Sequence, residues 1–344
     1  MNAPRVTVLM PVRDGAQWLA LAIDSVLAQA FSDFEFLVID DGSTDRSREI
    51  AADYAARDMR VRLIGQDALG LIATLNRGIA EARGELIARL DADDLARPER
   101  LARQVAAMDM NPRLNLIGSW AVKIDPEGRS NGIISPPFDR QQLRDTLART
   151  NPFIHSSVMM RTEAARQAGG YRAAFEAAED YDLWLRLAEH GEIAIIPEPL
   201  VLYREHGGNV TVRKAARQLF STRLAARAAA SRVSIGVDPS DSLAAPPDWR
   251  TDVGNSFYAT DARIFRFLEL ADTDIAKVAK LSAVDLDTVT GSNLNHRERK
   301  LAQIAIINLL RRDDRPAAWS TLKLMWTLFM LHPMRAVPLV LGKR

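Results

Sequence analysis

The chain has 344 residues, a formal net charge of +1 at pH 7 and no cysteine. This length accommodates one catalytic domain and a smaller second unit, since domains usually have about 100–200 residues. The balanced charge argues against nucleic acid as a general partner, and the lack of cysteine excludes disulfides, zinc–thiolate sites and thiol nucleophiles.

The first ninety residues alternate between apolar runs and helical patterns. Met1–Pro4 leads directly into the first run without the basic and apolar regions of a signal peptide, so we expect a cytoplasmic location. Strands are predicted at 5–10, 34–39, 60–64 and 85–90, and helices at 16–30, 45–57 and 71–83. Strands that alternate with helices form a parallel sheet covered on both faces, so the predicted fold class is α/β.

Carboxylates cluster where two of the predicted strands end. Asp91, Asp93 and Asp94 follow the fourth strand. Three carboxylates this close repel one another and lose hydration, so they indicate a divalent metal site. A second acidic turn, Asp40–Asp45, follows the second strand, and ligands of parallel sheets bind at such strand ends. We therefore expect a phosphorylated, metal-bound ligand, although the acidic turn taken alone is more typical of a turn that caps the following helix.

Beyond about residue 111 the alternation loosens. Strands are predicted at 114–123, 156–161 and 192–196, a helix at 181–190 and a loop at Pro197–Pro199, which favours a mixed sheet. Residues 213–232 carry six basic and no acidic residues on an Ala-rich helical pattern. Such a helix usually presents a solvated basic face; the alternatives are an approach to diphosphate or to anionic lipid. Residues 233–262 are expected to form a linker or an irregular cap.

The C-terminal residues 315–344 carry five basic and no acidic residues. Apolar side chains cover most of a predicted helix at 316–331, but Lys323 and Pro333 interrupt the run, so it is too short for a membrane span of about 20 apolar residues. We expect this helix to lie in the membrane interface, on the inner face of the cell membrane. The alternative is a helix that packs on the catalytic domain or on a second subunit in a homodimer.

Eight short motifs follow one another between residues 5 and 210. They are Val8-Leu9-Met10-Pro11-Val12-Arg13-Asp14, Val38-Ile39-Asp40-Asp41-Gly42-Ser43-Thr44-Asp45, Leu75-Asn76-Arg77-Gly78, Ala82-Arg83-Gly84-Glu85, Leu90-Asp91-Ala92-Asp93-Asp94, Asn151-Pro152-Phe153-Ile154-His155-Ser156-Ser157, Glu179-Asp180-Tyr181-Asp182-Leu183-Trp184 and Tyr203-Arg204-Glu205-His206. With these motifs the chain resembles the family 2 inverting glycosyltransferases of the GT-A fold, whose mostly parallel central sheet is flanked by helices. The resemblance implies a catalytic domain at 1–212. The mainly helical C-terminal region at 213–344 lies outside it.

The resemblance implies a nucleotide-sugar site at the first strand ends. In this family the acidic turn holds the nucleobase, which puts Asp41 against a uracil-like imide with Pro11 and Arg13 beside it. Asn76 belongs to a motif expected to contact the same ligand. Many relatives have Tyr-Asn where this chain has Arg13-Asp14, so the nucleobase contacts are expected to differ.

The resemblance also implies a metal cofactor, Mg²⁺ or Mn²⁺, that bridges the diphosphate of the donor. Asp91 and Asp93 would contact the ribose and the metal, with Asp94 in support. His206 matches a histidine that the family places near the diphosphate or the metal, and a neutral imidazole can act as a ligand.

The catalytic base is expected at the start of the helix predicted around residue 181. Inversion needs one base that takes the proton from the acceptor hydroxyl, and the resemblance makes Asp180 the first candidate and Glu179 its rival. Trp184 and His155 are predicted to contact the acceptor. Taken singly, Asp180 is equally typical of a helix cap, whereas His155 is more typical of a satisfied polar residue and Trp184 of a core residue.

These observations predict an enzyme that moves a sugar from a nucleotide donor, UDP-linked by expectation, to a glycan or polyprenyl-linked acceptor in surface polysaccharide assembly. The turn Pro11–Gly15 lacks the Gly-x-Gly-x-x-Gly pattern, and the chain has no Walker motif, which argues against dinucleotide enzymes and P-loop ATPases. A nucleotidyltransferase would need a Gly-rich basic loop at this turn. A silent binding or scaffold protein is the remaining alternative, and the intact carboxylates argue against it.

Overall fold

The structure, a computed structural model, describes residues 3–206, 215–251, 254 and 256–265. The chain divides into two compact units, Met1–Pro246 and Pro247–Arg344. In the second unit the rings of Trp249 and Phe265 pack with their centroids 5.9 Å apart. The predicted helix at 316–331 lies outside the described residues. Among those described, no helix combines the length and apolarity needed to cross a membrane.

The first unit contains nine strands and their flanking helices within the described residues. The strands are β1 (Val6–Val12), β2 (Phe34–Asp41), β3 (Val61–Gln66), β4 (Leu86–Arg89), β5 (Leu95–Ala96), β6 (Leu114–Ile124), β7 (Ser130–Ile134), β8 (Met159–Arg161) and β9 (Glu192–Arg204). The α-helices are α1 (Leu19–Leu27), α2 (Ser47–Arg57), α3 (Leu71–Glu81), α4 (Arg100–Met110), α5 (Arg140–Leu147), α6 (Thr162–Gln167), α7 (Glu179–His190) and α8 (Ala215–Ile235). Because α8 belongs to this compact unit while the predicted boundary is at 212, the limits of the catalytic domain stay a prediction.

The strands form one sheet in the order β3-β2-β1-β4-β8-β6-β9-β5, with β7 paired to β6. Strands β1 to β4 are parallel to their neighbours among themselves, whereas β8 is antiparallel to β4 and to β6. The parallel first half and the mixed second half are thus confirmed. The loop predicted at Pro197–Pro199 is wrong. These residues lie within β9, where a shift of register against β6 accommodates the prolines as a bulge.

The amino ends of the parallel strands are fixed by buried polar contacts. The Thr7 hydroxyl donates to Glu35 (2.7 Å) and accepts from the Gly84 N–H (2.9 Å). Position 84 must be glycine, because a Cβ there would lie 2.4 Å from the Thr7 backbone nitrogen. Because β1 and β2 are buried along their whole length, these contacts fix how far β4 is shifted along its own axis relative to β1. They therefore also set the position of the carboxylates that follow β4.

A buried ion network joins α7 to α8. Asp182 on α7 is fully buried and pairs with Arg172 and Arg186. Asp238 accepts from Arg172 at 2.8 Å and from Arg232 of α8 at 2.7 Å. Arg232 belongs to the basic stretch that was predicted to be solvated, but it makes contacts inside the protein. These contacts fix α8 against α7, the helix that begins with Glu179 and Asp180.

We expect Asp182→Asn to lower the free energy of unfolding by about 3–5 kcal/mol, because the buried Arg186 guanidinium loses its counter-charge and Arg172 loses one of its carboxylate partners. Urea unfolding followed by circular dichroism measures the change. Glu49→Gln, which breaks the exposed pair with Arg46, is the control and should leave the unfolding midpoint unchanged. Equal midpoints for the two variants would contradict the role given to Asp182.

Candidate active site

The carboxyl ends of β1, β2 and β4 lie at one edge of the sheet. Val12 pairs with Asp40 in the β1–β2 register, and β4 runs parallel to β1 on its other side. The structure therefore brings the predicted residues Pro11, Arg13 and Asp41 to the same edge as the cluster that starts at Asp91.

Asp41 is buried and held by hydrogen bonds to its carboxylate. One oxygen accepts from the Gln66 side chain and the Leu69 N–H, both at 2.8 Å, and the other accepts from the Gly70 N–H at 2.9 Å. Burial acts to raise the pKa of Asp41, but these bonds outweigh it and hold the pKa below its usual value. The Arg13 side chain, 53% exposed, lies 4.0 Å from the second oxygen. Asp41 is thus a fixed anion with one side open towards Arg13.

The turns after β1 and β2 are tied together by side chains. Asp14, at a φ of 49°, accepts from the Thr44 N–H at 2.7 Å. Asp45 accepts from the Ala16 N–H at 3.0 Å and from the Ser47 N–H at the start of α2 at 2.9 Å. Asp45 therefore acts as the helix cap that the sequence offered as an alternative, and its carboxylate also holds the turn after β1. Asp41 is the acid of this turn that lies beside Arg13.

Asp91, Asp93 and Asp94 gather after β4, with one ligand atom of each within 4.8 Å of the others. Asp91 forms a bidentate pair with Arg89, which is 2% exposed, and also accepts from the Ser156 hydroxyl at 3.0 Å. Arg89 and Ser156 thus fix the plane of the Asp91 carboxylate. They leave the other two carboxylates to face the site.

Asp93 is linked to the end of β9. One of its carboxylate oxygens lies 2.9 Å from His206 Nε2, and its backbone carbonyl accepts from the Arg204 side chain at 2.9 Å. The His206 ring packs on Trp18 with centroids 4.5 Å apart. His206, which was predicted to lie near the diphosphate or the metal, is therefore beside Asp93 in the structure, and its imidazole is oriented by an aromatic neighbour.

Asp94 is 1% exposed, and only one of its oxygens is hydrogen-bonded, by the Arg204 N–H at 2.7 Å. The other oxygen is buried and has no hydrogen-bond partner among the described residues. Burial, together with the charges of Asp91 and Asp93, raises the pKa of Asp94 well above its usual value. A buried carboxylate oxygen with no donor, beside two further carboxylates and an imidazole, fits a hard divalent cation. The cluster is therefore a candidate metal site.

A second carboxylate pair, Glu179 and Asp180, begins α7. Asp180 accepts from the Asn151 side chain at 2.8 Å and from the Tyr181 N–H at 2.7 Å. Burial raises the pKa of Asp180, and both bonds, with the charge of Arg89, act in the opposite direction. Burial and the neighbouring Asp180 raise the pKa of Glu179 to about 7. Burial therefore raises the pKa of both adjacent carboxyls, and Asp180 differs from Glu179 in accepting hydrogen bonds from Asn151 and Tyr181 that favour its ionised form.

The aromatic group beside this pair differs in part from the prediction. His155 Nε2 lies 3.0 Å from the Tyr171 hydroxyl, and burial, with the charge of Arg89, holds the pKa of His155 well below its usual range. Trp184 is 0% exposed and packs under His155 and Tyr171, with ring centroids 5.7 and 6.3 Å away. A sugar cannot stack on a ring without accessible surface. Trp184 therefore supports the acceptor side from below.

Asn76 likewise has a partner within the protein. Its amide exchanges two hydrogen bonds with the Tyr171 backbone, at 2.8 and 2.7 Å. Gly170 makes room for this, since a Cβ there would lie 2.4 Å from the Asn76 oxygen. In this structure Asn76 thus fixes Tyr171 to α3, and its contact with the nucleotide stays a prediction.

The sequence analysis overlooked Arg89, whose charge acts both on the carboxylates after β4 and on those at the start of α7. It pairs with Asp91 and lowers the pKa of Asp180, Glu179 and His155. The available signal was an arginine inside an otherwise apolar strand, two residues before a carboxylate. A fully buried charge requires a partner, so its position predicts an ion pair at the strand end.

Residues 7–169 match the family described as Glycosyl transferase family 2. EpsE of Bacillus subtilis, which is named as a glycosyltransferase, is 36% identical over 194 residues, covering 55% of this chain and 69% of EpsE. The glycosyltransferase MJ1057 of Methanocaldococcus jannaschii is 30% identical over 209 residues, covering 59% of this chain and 72% of that protein. The chondroitin synthase of Escherichia coli is 27% identical over 215 residues, covering 62% of this chain and 31% of the synthase.

Among solved structures, TarS 1–349 of S. aureus in complex with UDP-GlcNAc superposes with a TM-score of 0.57 at 13% identity, covering 96% of this chain and 91% of that chain. At this identity the likeness concerns the fold alone, and it confirms the predicted GT-A fold. The matches to EpsE and MJ1057, which extend over more than two thirds of each of those proteins, show that the chain is related to them in sequence as well. The chain belongs to glycosyl transferase family 2 and is a glycosyltransferase.

Proposed function

We propose that the protein is an inverting, metal-dependent glycosyltransferase that moves a sugar from a UDP-linked donor to a glycan or polyprenyl-linked acceptor in surface polysaccharide assembly. One observation carries the proposal. A carboxylate cluster suited to a divalent cation and the carboxyl pair at the start of α7 share Arg89 as their neighbour. A metal-bound diphosphate on one side and an acceptor hydroxyl on the other would then face each other across a short gap.

Asp41 supports a uridine donor. Three N–H groups occupy most of its accepting positions, and the side of the second oxygen near Arg13 is left for a ligand. The uracil imide has one N–H between two carbonyl oxygens, so it can donate to Asp41 and accept from a guanidinium. Pro11, buried at the end of β1, lines the same edge. The solved complex of TarS with UDP-GlcNAc agrees with this donor class.

Asp93, Asp94 and His206 would hold Mg²⁺ or Mn²⁺, and Asp91, already fixed by Arg89 and Ser156, would complete the cluster from its edge. When bound, the cation supplies neutralisation of the charge that develops on the leaving diphosphate. Arg204 keeps the loop in place by donating to the Asp93 carbonyl and to Asp94.

Asp180 is the proposed general base. Its carboxylate takes the proton from the acceptor hydroxyl while the hydroxyl oxygen attacks the sugar from the face opposite the leaving diphosphate. Glu179, with a pKa of about 7, is protonated in a large fraction of molecules at neutral pH and so adds little repulsion to the charge on Asp180. The neutral His155 imidazole would hydrogen-bond the acceptor.

The acceptor class and the location are proposed together with the function. The chondroitin synthase of Escherichia coli matches this chain, which supports a polysaccharide product. Donors and lipid-linked acceptors of such reactions meet at the inner face of the cell membrane, so we propose a cytoplasmic enzyme at that surface. The predicted helix at 316–331 would make the peripheral contact there or join two subunits.

The first test is calorimetric titration with UDP, GDP, CDP and dTDP, each with Mn²⁺ and with EDTA. We expect metal-dependent binding of UDP that is lost in Asp93→Ala, because the carboxylate that faces His206 is then absent. Asp53→Ala, at an exposed position on α2, is the matched control and should bind like the parent. Folded protein that binds none of the nucleotides would overturn the proposal.

The second test concerns the stability that the folded protein loses through repulsion and burial in the carboxylate cluster. The pKa of Asp94 is raised in the folded protein, so between its unfolded and folded pKa values the folded state holds more protons, and stability falls as pH rises through this window. In EDTA, Asp94→Asn should therefore be more stable than the parent, and the gain in stability should be largest at the alkaline end of this pH window. Calorimetric melting at several pH values measures this gain, which should shrink towards acid pH. A gain that is constant with pH would contradict the assignment.

The third test separates the two carboxyls of α7. We expect Asp180→Asn to lower kcat by about 10²–10⁴-fold, the usual contribution of a general base, while UDP binding is retained. Glu179→Gln keeps a neutral group of the same shape and should have a much smaller effect. The opposite ranking would move the base to Glu179. Proton NMR of the product should show an anomeric configuration inverted relative to the donor.

A further inference from the structure

We infer that Asn151 is a positioning residue for the reaction, whose amide holds Asp180 in the orientation and charge state that a base requires. The inference rests on the proposed role of Asp180. It adds a residue from the loop before β8, outside α7 and outside the acidic clusters, whose contribution is made through another side chain.

The orientation of the Asn151 amide is determined by its own contacts. Its carbonyl oxygen accepts from the Phe153 N–H at 3.0 Å, so the NH₂ group is the one that points to Asp180, at 2.8 Å. Phe153 is buried and packs on the Trp184 ring with centroids 6.3 Å apart. The amide is therefore anchored to the core beneath α7.

The contacts of Asp180 divide evenly between its two oxygens. Asn151 donates to one of them and the Tyr181 N–H donates to the other at 2.7 Å. Each oxygen keeps a free lone pair, so the carboxylate can accept the proton of an incoming hydroxyl without breaking either bond. Two N–H donors also favour the ionised form of a buried carboxylate.

Three titratable groups lie near Asp180. Glu179 precedes it on α7, Arg89 lies on β4, and the Tyr171 hydroxyl, which burial keeps protonated, precedes the α7 segment. Arg89 favours ionisation of Asp180, and Glu179 adds little repulsion because it is protonated in a large fraction of molecules at neutral pH. Asn151 is the neutral donor that adds to the effect of Arg89 without bringing a charge of its own.

Asn151→Ala and Asn151→Asp test the inference through the pH dependence of kcat at saturating donor and acceptor. Without the amide donor, Asp180 should ionise at higher pH, so the acid limb of the profile should move upward. We expect Asn151→Ala to lose about tenfold in kcat on the acid side and to come within about twofold of the parent on the alkaline side, since one pKa unit corresponds to tenfold. Asn151→Asp should move the limb further, because two carboxylates would share one proton.

Asn111→Asp is the matched control. Asn111 donates to the Glu192 carboxylate at 3.0 Å, so the same chemical change is made beside a carboxylate outside the site, and the profile should not move. UDP titration and melting of each variant verify that it is folded. If Asn151→Asp fails to fold, Asn151→Ser takes its place and should give a shift smaller than that of Asn151→Ala.

The outcomes separate two failures. A loss of kcat that is equal at every pH, or an unchanged profile in folded variants, would overturn the positioning role of Asn151. Full activity of Asp180→Asn would overturn the proposed base instead, and with it the reason to examine Asn151. A shifted acid limb, with the affinity for UDP unchanged, would support the inference.

Discussion

The active site depends on the buried ion pair between Arg89 and Asp91. A guanidinium group that is 2% exposed needs its charge compensated, and here the compensation comes from a carboxylate at the edge of the site, with Ser156 bonded to both partners. The Arg89 carbonyl is held in turn by Arg100 at 2.7 Å. The strand that ends in the Asp-x-Asp element is thus fixed in position, and its arginine also stabilises the charge of the carboxyls on α7.

This arrangement concentrates negative charge that the protein only partly neutralises. Arg89 compensates Asp91, and His206 lies against Asp93, but one oxygen of Asp94 has no donor within the described residues. A ligand that supplies positive charge at this position binds the folded state alone and must stabilise it by mass action. The incomplete neutralisation therefore supports the proposed cation site and predicts that the folded state is less stable without a cation.

The first half of the chain was predictable because its signals are local. Apolar runs such as Phe34–Ile39 alternate with helical patterns, and residues that follow parallel strands must share one edge. The roles of Asn76 and Trp184 could not be predicted, because they depend on Tyr171, which is 95 residues from Asn76 in the chain. The prolines at 197 and 199 suggested a loop, whereas pairing with β6 keeps them in a strand. Tertiary contacts decided each of these cases.

The residues that the sequence suggested for ligand contact thus fall into two layers. Asp41, Asp93 and His155 retain some access to the site or face its groups, while Asn76 and Trp184 lie behind Tyr171 and fix its backbone and ring. Tyr171 then reaches His155 through its hydroxyl. A chain of contacts therefore runs from α3 to α7. Because each link is a hydrogen bond or a buried ring contact, a motif residue such as Asn76 can hold the proposed acceptor side in place without contacting a substrate.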